Sequence, residues 1–403
     1  MPSSQQANGR AKRIALLGST GSIGVSTLSV VDAHPDAFDV VALAANTSVD
    51  AVERQARQFR PEIVAMRDVD AAAELKSRLT SEAIEVVGGL DGVIAAATWP
   101  GVDLMLSGIV GGAGILPTLE ALRQGIDIAF VNKEVLVLAG ELVMAAAKES
   151  GARILPVDSE ISAVFQCLQD AHGVRDLRTI YLTASGGPLR ETPAEAFPAI
   201  TPEEALNHPN WDMGPKVTID SATLLNKGLE VIEARWLFDV DIERIRVVVH
   251  PQSIVHSYVE FVDGSVIAQL GVPDMRTPIQ YALTYPARLP TPTDRLDLVE
   301  AASLTFEEPD MERFPCLGYA FDAAAAGGTM PAVLSGADEV AVAAFLAREI
   351  RFDEIPLLVH ATMQQHELCA RPSLTEILDA DAWARKAARA FVDSKAIPAP
   401  RPT

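Results

Sequence analysis

The chain has 403 residues, 49% of them hydrophobic, so we expect two or three domains with large buried cores. Its formal net charge of −21 opposes general binding to nucleic acid or to an anionic membrane, because both require a positive field. Three cysteines, Cys167, Cys316 and Cys369, are far apart and lack metal or redox spacing. They indicate a reducing compartment and predict no disulfide.

The apolar runs are each interrupted by glycine or charge, so the sequence predicts no transmembrane helix. The start resembles neither a signal peptide nor a transit peptide, and we therefore expect a cytoplasmic protein. The two ends, up to about Arg10 and from Ala396 onward, are predicted to be disordered.

The region from Arg13 to Val157 alternates short apolar runs with helical patterns. This rhythm predicts a parallel sheet covered by helices on both faces. The predicted strands are Ile14–Leu17, Val40–Ala44, Ile63–Met66, Ile84–Val87, Leu104–Ser107, Ile128–Val131 and Ile154–Val157.

A glycine loop, Gly18-Ser19-Thr20-Gly21-Ser22-Ile23-Gly24, follows the first of these strands and leads into a helical run. Such glycines let backbone N–H groups approach a pyrophosphate at a helix N-terminus. The spacing G-x-x-G-x-x-G is less familiar than G-x-G-x-x-G, but its place in a βαβ series favours dinucleotide binding over a structural turn. Residues 1–157 are therefore predicted to form a Rossmann-like domain.

The end of the second strand indicates which dinucleotide binds. Enzymes that use NAD usually place an acid there, whereas this chain has no acid between Ala44 and Asp50. This favours NADP. Arg54 and Arg57 follow on the next helix, where exposed helix charges are as good an interpretation as phosphate contact.

Polar residues also follow two later strands. Asn132, Lys133 and Glu134 interrupt an apolar run at a strand end where open α/β sheets bind ligands, although Lys133 and Glu134 also fit an ordinary first-turn pair. Asp158 and Glu160 follow the last strand and, with Glu230, offer only hard oxygen ligands, which predicts a Mg²⁺ or Mn²⁺ site. The structural alternative is a helix capped by Ser159 with acids in its first turn.

The stretch from Asn207 to Glu233 contains the densest polar chemistry. Asp220 or Ser221 is predicted to cap a helix whose buried stripe begins at Leu224. Four polar side chains are predicted to share the other face: Thr223, Asn226, Lys227 and Glu230. Considered alone, Lys227 and Glu230 are better interpreted as a solvated surface pair.

The loop Ser185-Gly186-Gly187-Pro188 could direct backbone N–H groups and a hydroxyl at an anion, or be a plain glycine turn. The proline-rich connection of about residues 189–215 is predicted to be a mobile lid. Further strands are predicted at Thr179–Ala184, Lys216–Ile219, Arg244–Val249, Ile254–Val262 and Ser265–Leu270, with a hairpin at Asp263-Gly264. We expect a smaller α/β catalytic domain at 158–293 whose sheet could pair two subunits, a linker at 294–316 and an all-helical domain at 317–403.

The motifs GSTGSIG, VNKE, VDSE, TASGGP, HPNWDMG and DSATLLNKGLEVIEARWLF, in this order, resemble those of the 1-deoxy-D-xylulose 5-phosphate reductoisomerase family. The resemblance extends from about Lys12 to about Val392. It implies a homodimer of three-domain subunits that uses NADPH and a divalent cation. It also implies the rearrangement of 1-deoxy-D-xylulose 5-phosphate and its reduction to 2-C-methyl-D-erythritol 4-phosphate, a step of non-mevalonate isoprenoid synthesis.

The resemblance also implies a role for each matching residue. The cofactor would contact Gly18, Thr20, Gly21, Ser22, Ile23, Asn132, Glu134 and Gly214. Asp158, Glu160 and Glu230 would bind the cation. The substrate would contact Lys133, Ser159, Glu160 and Glu230 at its reacting end, Ser185, His208, Ser221, Asn226 and Lys227 at its phosphate end, and Trp211 and Met213 of the lid. We also place Asn46, Thr47 and Ser48 at the cofactor, although the family often has a basic triplet there.

Two other functions stay open. A simple NADP dehydrogenase of the semialdehyde type would need neither the carboxylate triad nor the phosphate cluster. A dinucleotide-sensing regulator should carry a basic element that reads DNA, and the sequence shows none.

Overall fold

The computed structural model of the chain describes residues 10–169, 173–211 and 213–395. The tails predicted to be disordered therefore lie almost entirely outside the described residues. The chain separates into two compact units. The first comprises Met1–Asn132, Val143–Asp158 and Asp274–Asp294, and the second comprises Lys133–Leu142, Ser159–Pro273 and Arg295–Thr403. The three-part division by sequence position stays a prediction.

The first unit contains a seven-stranded parallel sheet of order β4-β3-β2-β1-β5-β6-β7. Its strands are β1 (Lys12–Leu17), β2 (Phe38–Ala45), β3 (Ile63–Met66), β4 (Glu85–Gly88), β5 (Leu104–Ser107), β6 (Asp127–Phe130) and β7 (Ile154–Pro156). All seven predicted strands are confirmed. The strand order reverses between β1 and β5, and open α/β sheets bind ligands at the carboxyl ends of strands at such a switch point.

Helices connect these strands. They are α1 (Ser22–Ala33), α2 (Val49–Phe59), α3 (Val69–Arg78), α4 (Gly89–Ala97), α5 (Ile115–Arg123) and α6 (Lys133–Ser150). Helix α6 departs from helical geometry at Ala139, and its residues Lys133–Leu142 belong to the second unit. The predicted Rossmann-like fold is confirmed.

The second unit contains a four-stranded sheet of order β11-β10-β8-β9. Its strands are β8 (Leu177–Ala184), β9 (Ile245–Val249), β10 (Val255–Phe261) and β11 (Val266–Leu270). Only β8 and β9 are parallel. The predicted hairpin is present, with Gly264 at φ +85° between β10 and β11. Helix α7 (Ser159–Cys167) leads into this sheet.

The predicted strand Lys216–Ile219 is wrong, because these residues lie in helix α9 (Pro215–Ala222). Proline in the first turn of a helix loses no hydrogen bond. Four residues are also too few to distinguish the helical period of 3.6 residues from the strand period of two. The predicted N-cap at Asp220 or Ser221 is also wrong, because both residues lie inside α9. Helix α10 (Leu225–Phe238) begins only after Leu224, which adopts φ +61° between the two helices.

The carboxyl-terminal region is helical, as predicted. Its helices are α12 (Leu298–Ala301), α13 (Cys316–Ala326), α14 (Met330–Leu346), α15 (Glu354–Gln365) and α16 (Leu374–Ser394). The predicted capping box of Ser373 and Glu376 begins α16. Two remaining short helices are α8 (Pro202–Ala205) in the second unit and α11 (Arg276–Thr284) in the first. All three cysteines are free thiols, and no described helix is long and apolar enough to cross a membrane.

Candidate active site

The glycine loop after β1 has two positions that admit only glycine. Gly18 has φ +75°, and a Cβ there would lie 2.7 Å from the carbonyl oxygen of Gly108. At Gly24 a Cβ would lie 2.4 Å from the carbonyl oxygen of Gly18, so α1 packs directly on the loop. At Gly21 a Cβ would make only an ordinary contact, 3.5 Å from the carbonyl oxygen of Gly18, and Gly21 begins α1 without a side-chain cap. The amides of the first turn of α1 are therefore available to an anion.

The other predicted cofactor residues of this unit lie at carboxyl ends of strands. Thr20 and Ile23 are half-buried, and Ser22 is exposed. Asn46, Thr47 and Ser48 are exposed after β2. Asn132 is buried and donates to the carbonyl oxygen of Gly111 at 2.9 Å, while its own Oδ1 accepts no hydrogen bond from the described residues. The glycine loop and this buried acceptor fit a bound dinucleotide.

Arg57, one of the two arginines on α2, forms ion pairs with neighbouring surface residues. Its guanidinium pairs with Glu53 at 2.9 Å and with Glu82 at 2.8 Å. For Arg57 the interpretation as an exposed helix charge is therefore the correct one.

Three carboxylates come together where β7 leads into α7. Asp158, Glu160 and Glu230 each offer an oxygen, and these oxygens all lie within 4.8 Å of one another. Glu230 reaches the group from α10. The distances and the all-carboxylate donor set suit a divalent cation with hard ligands.

Lysines and an amide surround these carboxylates. Lys227 donates to Glu160 at 2.7 Å and also to Glu230, and it is buried. Lys133 contacts Asn226 at 2.9 Å and Glu230 at 3.0 Å. Asn226 in turn donates to Glu230 at 2.7 Å. The interpretation of Lys227 and Glu230 as a solvated surface pair is therefore wrong, because α10 turns this face inward.

Ionisation in this cluster is set by burial and by charge. Burial opposes the charged form of Glu160, but the ammonium of Lys227 and hydrogen bonds from Lys227 and Ser159 outweigh it and lower the pKa of Glu160 to about 2. Burial also opposes the charge of Lys227, yet Glu160 and Glu230 together raise the pKa of its ammonium. Glu160 and Lys227 are thus both charged at neutral pH.

Three of the five predicted phosphate-end residues, Ser185, His208 and Ser221, form a second group. The other two, Asn226 and Lys227, belong to the carboxylate cluster. The imidazole Nε2 of His208 lies 2.9 Å from the hydroxyl of Ser185. Its Nδ1 accepts the amides of Asn210 at 3.2 Å and Trp211 at 3.0 Å, so Nε2 carries the proton and donates to Ser185. Burial lowers the pKa of His208, which favours this neutral form.

Ser221 lies next to the Ser185 loop. Gly187 has φ +72°, and a Cβ there would lie 2.4 Å from the carbonyl oxygen of Ser221 on α9. This close approach requires glycine and shows why the loop contains it. Ser185, His208 and Ser221 therefore provide hydroxyl and imidazole donors in one small region of the second unit.

The segment predicted as a lid is more ordered than its sequence indicated. Residues 194–199 form a 3₁₀ helix, and Phe197 is buried against Phe314 and Phe352. Helix α8 follows with its own capping box. Among the described residues of this segment, 207–211 with 213–214 are the longest part without helix or strand, so the lid prediction now applies to that loop.

Trp211 and Met213 lie in this loop and are both half-buried. Asn210, which sequence reasoning did not single out, holds the loop by donating to the carbonyl oxygen of Pro251 at 2.5 Å. Gly214 is exposed, has no neighbour where a Cβ would lie and begins α9 without a side-chain cap. It leaves the start of α9 open to a ligand.

Sequence reasoning also missed a buried charge network beside Glu134. The ammonium of Lys216 lies 2.6 Å from Asp220, 2.9 Å from Asp338 and 3.7 Å from Glu134. Burial and the neighbouring Asp338 raise the pKa of Asp220, although Lys216 opposes the shift. The spacing of Lys216 and Asp220 would have revealed this pair if the stretch had been assigned to a helix.

A Rossmann-like sheet with a glycine loop, a cluster of three carboxylates, two lysines and a group of anion donors together define a dinucleotide- and metal-dependent enzyme. Family models agree with this class. One described as 1-deoxy-D-xylulose 5-phosphate reductoisomerase matches residues 14–140, and the C-terminal domain models of that enzyme match residues 154–238 and 270–387.

Curated relatives and solved structures cover nearly the whole chain. The 1-deoxy-D-xylulose 5-phosphate reductoisomerase of Trichlorobacter lovleyi is 53% identical over 94% of this chain and 97% of its own. That of Chlorobaculum tepidum is 54% identical over 94% of this chain and 100% of its own. The Zymomonas mobilis enzyme with NADPH superposes with TM-score 0.90 at 41% identity, covering 96% and 100% of the two chains.

A DOX-P reductoisomerase in complex with NADPH, fosmidomycin and magnesium also gives a TM-score of 0.90, at 40% identity over 95% and 98% of the two chains. The chain belongs to the 1-deoxy-D-xylulose 5-phosphate reductoisomerase family.

Proposed function

We propose that this chain rearranges 1-deoxy-D-xylulose 5-phosphate and reduces the product with NADPH to 2-C-methyl-D-erythritol 4-phosphate. The observation that carries the proposal is the group of three carboxylates contacted by Lys133 and Lys227. Family membership supports the same reaction. The complexes of relatives with NADPH and magnesium support the choice of cofactors.

Asp158, Glu160 and Glu230 would hold the divalent cation. When bound, such a cation supplies Lewis-acid stabilisation of oxygen charge, and NADPH supplies the hydride. The three carboxylates outnumber the two lysines that contact them, so the cluster favours an added cation. Lys133 would donate to a substrate oxygen at this cluster, where its ammonium contacts Asn226 and Glu230.

The remote phosphate would be held by Ser185, His208, Ser221, Asn226 and Lys227. Neutral His208 presents an Nε2–H that can donate to a phosphate oxygen in place of Ser185. The contacts to the phosphate would orient the reacting carbons, although the phosphate itself does not react. The loop from Asn207 to Gly214 would close over the substrate and exclude water, with Trp211 covering the carbon skeleton.

NADPH oxidation measured with 1-deoxy-D-xylulose 5-phosphate tests the proposal. Turnover should require Mg²⁺ or Mn²⁺ and stop on chelation. Turnover that survives chelation would favour a simple NADP dehydrogenase. Product analysis by mass spectrometry separates rearrangement with reduction from reduction alone.

The proposed assembly is a homodimer formed through the second sheet. Strand β11 lies at an edge of that sheet, and Val266 and Ile267 on it are 59% and 45% exposed. An exposed apolar edge strand is a ready surface for pairing with a second copy. We also propose a cytoplasmic location, which cell fractionation would test.

A further inference from the structure

The carboxyl ends of β2 and β3 lie side by side in the first unit. Ala45 is paired with Met66, the last residue of β3. Beyond that pair, the amide of Arg67 donates to the carbonyl oxygen of Ala45 at 2.8 Å, and the amide of Asp68 donates to that of Asn46 at 3.3 Å. Arg67 is therefore a backbone neighbour of the loop formed by Asn46, Thr47 and Ser48.

The charge of Arg67 has no ion-pair partner among the described residues. Its side chain is exposed, and no carboxylate of the described residues lies within ion-pairing distance of its guanidinium. Two other arginines of this region do have partners. Arg57 pairs with Glu53 and Glu82, and Arg78 pairs with Asp50 at 2.6 Å.

Two of the three acids nearest this place, Asp50 and Asp68, already have partners. Asp50, the first acid after β2, accepts from Arg78. Asp68 caps α3 by accepting the amide of Ala71 at 2.8 Å. Asp70 is exposed in the first turn of α3. The loop itself, Asn46-Thr47-Ser48, adds only uncharged groups, and Ser48 begins α2 without a side-chain cap.

We propose that Arg67 binds the ribose 2′-phosphate of NADPH and is the main determinant of NADPH over NADH in this chain. In this fold the end of β2 faces the adenosine ribose, so a phosphate on that ribose would lie beside the β2 and β3 ends. A guanidinium suits it, because arginine forms paired hydrogen bonds with phosphate oxygens. Arg67 would thus supply from β3 the charge that Asn46, Thr47 and Ser48 lack.

Arg54 is the other arginine near this loop and serves as the control. It lies two positions from both Val52 and Ala56, which are buried. At 100° per residue this spacing puts Arg54 on the opposite, solvent-facing side of α2. Arg54→Gln removes the same charge from the same region without touching the β3 end.

The inference rests on the proposed function. It can be tested by measuring nucleotide binding, which does not require turnover. Calorimetric titration with NADPH and with NADH would be done on the wild type, Arg67→Gln and Arg54→Gln, with 2′-AMP as a competitor that carries the same phosphate. Arg67→Gln should weaken NADPH binding about tenfold or more and leave NADH within about twofold. It should also lose competition by 2′-AMP, whereas Arg54→Gln should behave as the wild type.

If Arg67→Gln loses affinity equally for NADPH and NADH, or loses affinity for neither, the inference is overturned while the proposed function stays intact. A larger loss in Arg54→Gln than in Arg67→Gln would also overturn it. A wild type that binds neither nucleotide would overturn both. Unchanged thermal unfolding of both variants, expected for exposed side chains, confirms that binding alone has changed.

Discussion

At the scale of single residues, the site depends on charges that the fold has removed from water. Glu230 and Lys227 are almost fully buried. Lys227 is compensated by Glu160 and Glu230, and Glu230 is compensated by Lys227 and Lys133. The sequence showed that Asn226, Lys227 and Glu230 share a helix face. It could not show what covers that face, because burial depends on distant elements such as α7, which supplies Glu160.

Removal of any one carboxylate should damage cation binding and spare the cofactor. Asp158→Asn, Glu160→Gln and Glu230→Gln each remove one negative oxygen ligand from the group of three. We expect each variant to lose most of its activity and its Mg²⁺ affinity, while NADPH affinity stays near that of the wild type. Calorimetry with Mg²⁺ and fluorescence titration with NADPH would measure the two. Wild-type metal affinity in all three variants would disprove the assignment.

Lys227→Met should make the unliganded protein less stable and more dependent on a cation. The substitution leaves Glu160 and Glu230 buried without their shared ammonium, which costs about 3–5 kcal/mol. Added Mg²⁺ should therefore raise the melting temperature of the variant more than that of the wild type. An equal rise in the two proteins would show that Lys227 and the cation do not act on the same carboxylates.

At the scale of elements, two features could not be predicted from the sequence. The first is α9, where Val217, Thr218 and Ile219 suggested a strand but tertiary packing and Pro215 favour a helix. The second is the buried network of Lys216 with Asp220, Asp338 and Glu134, which brings together three separate elements. By contrast, the strands of the first sheet and the glycine loop were predictable, because local periodicity and glycine spacing define them.

Lys216→Met should destabilise the second unit strongly. It leaves the buried carboxylates of Asp220 and Asp338 without a positive partner, at a cost of about 3–5 kcal/mol. Chemical denaturation would measure the loss, with Lys148→Met on the exposed face of α6 as the control. The double variant Lys216→Met with Asp338→Leu should recover part of it. No recovery would mean that the loss arises from packing and not from charge.

The loop from Asn207 to Gly214 should loosen as pH falls. The pKa of His208 lies below its usual value of 6.5 because burial disfavours the charged ring. The neutral ring accepts the amides of Asn210 and Trp211, so loop order is complete above pH 6.5 and is lost as pH falls through the lowered pKa. Hydrogen exchange of these two amides, corrected for intrinsic rates, would show the change. His208→Gln should abolish the pH dependence, and its persistence would implicate another group.

At the scale of the whole molecule, the proposed dimer can be tested apart from the chemistry. Ile267→Lys places a charge on an edge strand that is already exposed, so the isolated subunit should tolerate it. Light scattering should show a dimer for the wild type and a smaller species for the variant. Lys substitution at Val69, an exposed apolar residue on α3, is the matched control. If the Ile267→Lys protein is still a dimer, the interface does not include β11.

The chain passes between its two units five times, and the first unit is completed by Asp274–Asp294. That late segment is tied down by the ammonium of Lys12, which donates to the carbonyl oxygen of Leu283, and by His34, which contacts Gln280 at 3.0 Å. A nucleotide-binding fragment for biosensor engineering therefore cannot be obtained by truncation. It would need a redesigned gene in which residues 274–294 are joined to the amino-terminal segments by an artificial linker.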